Sequence, residues 1–90
     1  MLLKETTGMM ESPDCKERFR AEYYQTKIRY ERLKEFNTRI KASERYGAGE
    51  APKHDCPSDL LCEQQRAMGI YLHILELRAE IEHVDISHPV

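Results

Sequence analysis

The chain has 90 residues with 40% hydrophobic and 33% charged residues, no tryptophan and a net charge of −2. That length holds one domain at most, and one that buries little surface by itself. The near-neutral balance excludes a protein built mainly to grip phosphate backbones, which needs a strong basic excess. Cys15, Cys56 and Cys62 form no disulfide framework, being odd in number and unevenly spaced. No secretory signal or membrane-spanning run is present, so the expected setting is a reducing cytoplasm with free thiols.

Residues 1–11 show no period and read as a flexible N-terminal tail. "SPD" at 12–14 reads as a helix start, with Ser12 as cap, Pro13 in the first turn and Asp14 at the positive end of the dipole. No Pro or Gly follows until Gly47, which predicts a helix over about 13–46, roughly 50 Å long at 1.5 Å per residue. Phe19, Tyr23, Thr26, Tyr30, Leu33, Asn37 and Ile40 alternate in steps of four and three. That is the heptad seam of a helix packed along its length on a partner. "GAGEAPKHDCP" at 47–57 then breaks the chain into a turn.

A second helix is predicted over about 57–84, carrying Leu60, Leu61, Ala67, Met68, Tyr71, Leu72, Ile74, Leu75, Ala79 and Ile81. Residues 86–90 read as a C-terminal tail. Residues 14–46 have ten Lys/Arg against six Asp/Glu, and residues 57–85 have two against six, so the charges of the two helical segments are opposite. The expected fold is all-α: a long two-helix antiparallel hairpin over 12–85. A lone hairpin leaves part of each stripe exposed, so it is expected to oligomerise into a helical bundle of coiled-coil type.

Several polar residues interrupt the apolar stripes. Asn37 faces roughly position 66 in a hairpin turning near residue 51, so an Asn37 contact with Gln64 or Gln65 is expected to set register. Gly69 is expected to let another helix approach. Arg78 has no evident carboxylate in the facing seam. Unless Glu22 or a second subunit pairs with it, the expected partner is a ligand.

The chain offers little for catalysis. No nucleophile elbow, oriented Cys–His pair or glycine-rich phosphate loop is present, so a non-enzymatic protein without cofactors is expected. His54, Cys56 and Cys62 lack a standard zinc spacing and a fourth ligand nearby. Glu80-x-x-His83 has the spacing of di-iron bundles, but its face, shared with His73 and Glu76, reads as a solvated acidic surface. No metal is expected. Arg18, Arg20, Tyr23, Tyr24 and Lys27 form a basic-aromatic cluster near the start of the first helix. Guanidinium groups and aromatic faces together can hold phosphates and bases. The expected ligand contacts are Arg20, Tyr23, Tyr24, Lys27, Tyr71 and Arg78, although Tyr23 also fits as plain seam.

Leu61-x3-Gln65-x2-Met68-x2-Tyr71-Leu72-x2-Leu75-x2-Arg78, preceded by Arg32-Leu33-x2-Phe36, resembles the small helical-hairpin proteins of tailed phages and prophages grouped around a crAss-like phage gene product. The resemblance covers about residues 16–84. It implies a phage accessory protein acting in the host cytoplasm against host immunity. Such a protein would serve as an oligomeric sponge for a cyclic nucleotide signal. It would alternatively be a direct inhibitor of a host defence protein, or a structural or assembly component of the phage. Neither a nucleic-acid polymer nor a membrane is an expected partner.

Overall fold

The computed structural model describes residues 2–87. A single turn of 3-10 helix, Leu3–Glu5, leads into α1, Thr6–Met10. Two long helices follow: α2, Cys15–Tyr46, and α3, Ser58–Glu82. They pack against each other in a body of 47 × 25 × 21 Å. The all-helical expectation holds, with a third, short helix added to the expected two.

α2 starts one residue after Asp14, whose carboxylate accepts the Lys16 N–H at 3.0 Å. Asp14 is therefore the cap, and Ser12 supports it from outside by accepting the Asp14 N–H and donating to Glu17. All seven seam residues of α2 are buried or half-buried. Gly47 ends the helix with φ 66°. Its N–H reaches Ser43 O, the bond of an αL cap, and that of Ala48 reaches Ala42 O, each at 3.0 Å, so the departing chain satisfies two of the last carbonyls of α2.

The turn is tied back to α2. Ser43 Oγ donates to Gly49 O, and the His54 ring meets Phe36 edge-on at 6.4 Å. His54 Nδ1 lies 2.7 Å from Cys56 O, so that nitrogen carries a proton, because a carbonyl can only accept.

α3 turns one face to α2, through Leu72, Leu75 and Ala79, with Leu61, Gln65 and Met68 half-buried. Tyr23, Tyr24, Leu72 and Leu75 form the central cluster, with Met9, Phe19, Tyr30 and Ile86 packed on it. At Gly69, an added Cβ would stand 3.2 Å from Tyr30 Cε1, so the missing side chain is what lets that ring lie against α3.

Both expected tails need correction. Residues 3–10 are helical, Thr6 is fully buried and Met9 covers the central cluster, so the segment is not a loose tail. Five helical residues cannot hold themselves together; docking on α2 does it. At the other end, His83 takes a left-handed turn with φ 58°. That turn buries Val84 and brings Ile86 back onto the cluster. Met1 and residues 88–90 of the expected tails lie outside the described residues. No helix among the described residues is long and apolar enough to cross a membrane.

Candidate functional site

The six expected ligand contacts lie towards the end of the hairpin where α2 begins and α3 finishes, but they do not form one cluster. Tyr23 and Tyr24 are each only 4% exposed and meet edge-on at 5.6 Å, so no base can stack on either ring. They are core residues. Their spacing as seam residues carried this information; the basic neighbours suggested otherwise. Tyr23 donates its hydroxyl to Glu76 at 2.9 Å, and burial, with that bond behind it, pushes its pKa up to about 12.

Arg20 and Tyr24 share a different side. The Tyr24 hydroxyl and Arg20 Nε are both buried without a hydrogen-bond partner among the described residues. Burial raises the Tyr24 pKa, the Arg20 charge opposes that rise, and Asp85 adds to it. Lys27 is exposed and holds its ammonium 5.8 Å from the centre of the Tyr23 ring.

Tyr71 and Arg78 stand apart from these. Seven residues apart on α3, they lie on one side of the helix, two turns from each other. Tyr71 is 40% exposed and donates its hydroxyl to Glu22 at 3.0 Å. Burial, followed by the Glu22 bond, raises its pKa. Arg78 places its guanidinium carbon 4.9 Å from the centre of the Phe19 ring. Its Nε donates to Glu82 at 2.8 Å. The expectation that Arg78 pairs with Glu22, a second subunit or a ligand left out a carboxylate on its own helix: Glu82, one turn ahead on α3, supplies it. Glu22, the other candidate, is taken by Tyr71.

A further cleft escaped the sequence reading. A cavity of about 460 Å³ lies at the turn end, bordered by Lys41, Arg45 and Arg66 together with Glu44, Asp59 and Glu63. Lys41 and Arg45 are four apart on α2, and the hairpin register brings Arg66 opposite; that combination was its only sequence signal. Its balanced charge makes it a weak anion site. No three His, Cys, Asp or Glu side chains converge as metal ligands among the described residues.

A family model described as Sequestin matches residues 13–81, which takes in all of α2, the turn and nearly all of α3. No curated protein and no solved structure matches the chain.

Proposed function

Because the chain belongs to the Sequestin family, we propose that it is a non-enzymatic binding protein that sequesters a nucleotide second messenger between the hairpins of an oligomer. The family description points to sequestration and goes no further. The nucleotide, and a phage-encoded role against host immunity, are the finer parts of the proposal.

The observation that carries the nucleotide reading is the pairing of Tyr71 and Arg78 on one exposed side of α3. Each is held in position by a contact from α2: Glu22 on the Tyr71 hydroxyl and the Phe19 ring beneath Arg78. Tyr71 offers an aromatic edge or face to a base, and Arg78 a forked donor to a phosphate. The Glu82 contact does not block this. Both partners are about half exposed, so solvent screening keeps this i,i+4 pair weak. A phosphate offers the guanidinium more acceptor oxygens and more negative charge than one carboxylate does, so it can compete with Glu82 for the fork.

Calorimetry against cyclic dinucleotides and cyclic ADP-ribose isomers tests the reading. Binding is expected with at least one, and Arg78→Ala should weaken it tenfold or more. No heat and no thermal shift with any of them would overturn it.

A further inference from the structure

α3 carries a second apolar seam that its own fold does not use. Ile70, Ile74, Leu77 and Ile81 are 56%, 47%, 52% and 75% exposed. They follow one another in steps of four, three and four, and Ala67 extends the line by one step of three. This is a heptad stripe about 22 Å long at 1.5 Å per residue. It runs on the face away from Leu72, Leu75 and Ala79, which α2 covers. Four large aliphatic side chains in one line form a continuous patch, unlike the scattered apolar residues of an ordinary surface.

We propose that this seam docks on the same seam of a second copy, with the two α3 helices antiparallel. The flanks of the stripe select both the occupant and the direction. Tyr71 and Arg78 line one flank, and Arg66, His73 and Glu80 line the other. In a parallel pair, each residue of the second flank meets a first-flank residue five positions on, which places His73 against Arg78. In the antiparallel pair, like flanks meet. Ile74 then packs on Leu77 of the second copy, and Ile70 on its Ile81. With those layers, Tyr71 meets the other copy's Arg78 on one flank, and His73 meets its Glu80 on the other. Sliding by one heptad sets Ile81 against Glu63 and buries a carboxylate among isoleucines, so that register is disfavoured.

The arrangement completes the site. Two Tyr71–Arg78 pairs, one residue of each pair from each chain, line a single two-fold flank. The ligand role of that flank rests on the nucleotide reading above; the interface does not.

Sedimentation of the full chain without nucleotide tests the interface. The expected particle has twice the 10.6 kDa mass of the chain. Ile74→Glu should give a monomer whose circular dichroism stays helical, while Tyr46→Ser, far from the seam, should leave the dimer intact. His73→Lys should tighten the dimer severalfold, and adding Glu80→Lys should reverse that gain. A parallel pair would instead be weakened by His73→Lys, which faces Arg78 there. A monomeric wild type, an Ile74→Glu variant that still pairs, or weakening by His73→Lys would each overturn the proposal. A dimer that binds no nucleotide would leave the interface standing and remove the ligand reading. A monomer that binds nucleotide would do the reverse.

Discussion

Asn37 donates its side-chain Nδ2 to Gln65 Oε1 at 3.0 Å and to Leu61 O at 3.1 Å, joining α2 to α3 in the turn half of the hairpin. This amide pair sits in seams that are otherwise mainly apolar, and only one register lets it form. With it in place, Gly69 lies against Tyr30, Glu76 receives Tyr23, and Tyr71 reaches Glu22. The Asn37 Oδ1 is buried without a partner among the described residues, so the contact costs something even in the native state.

Asn37→Asp should therefore be severe. It removes both donors and aims a buried negative charge at two oxygens, at a cost of ~3 kcal/mol or more near neutral pH. The introduced carboxyl would have a folded-state pKa raised above that of the unfolded chain. The variant should accordingly be relatively more stable in acid and lose stability as pH rises through that value. Urea unfolding at several pH values checks this; a loss that does not depend on pH would contradict it.

Gly69→Ala tests a closer balance. Alanine gains ~1 kcal/mol of helix propensity over glycine. Its Cβ would meet Tyr30 Cε1 at 3.2 Å, so the ring must move by a few tenths of an ångström. Tyr30 is half-buried and borders open clefts, so it can move. The expected result is a net gain of about 0.5 kcal/mol in thermal unfolding, larger when Tyr30 is also leucine. A net loss would show that the ring is fixed.

Alkaline unfolding should report on Tyr23. Its pKa is pushed up to about 12 by burial and by its bond to Glu76, whereas a tyrosine in the unfolded chain releases its proton near pH ~10. The folded state thus holds a proton that the unfolded state gives up. The associated stability is fully present below about pH 10 and is lost as pH rises towards 12. Burial shifts Tyr24 and Tyr71 in the same direction. Tyr23→Phe should flatten the fall between about pH 10 and 12, followed by denaturation and by tyrosinate absorbance.

His83 is a non-glycine residue at φ 58°, where its Cβ crowds the backbone. His83→Gly should raise stability by about 1 kcal/mol, provided Val84 N–H keeps its bond to Ala79 O. Chemical denaturation measures it directly. A loss would mean that the imidazole makes a contact worth more than the strain.

Much of this protein was readable before folding, because helices are local. The absence of Pro and Gly between residues 14 and 46, and the Gly/Pro cluster at 47–57, place both long helices within a few residues of α2 and α3. The step-four, step-three pattern marks the α2 seam, and simple counting from the turn brings Asn37 to Gln65. What only the tertiary structure decided is which of several permitted partners each side chain takes. Arg78 had Glu22, Glu82 and a ligand within reach; the short i,i+4 geometry gives it Glu82 and leaves Glu22 to Tyr71. Tyr23 and Tyr24 had basic neighbours in sequence, yet packing by Leu72, Leu75 and Met9 covers their rings. Residues 3–10 have too few helical contacts of their own, so their order comes from α2. α3 is apolar on more than one side, and a single partner helix can cover only one of them. Packing against α2 hides Leu72, Leu75 and Ala79 and leaves Ile70, Ile74, Leu77 and Ile81 facing outward.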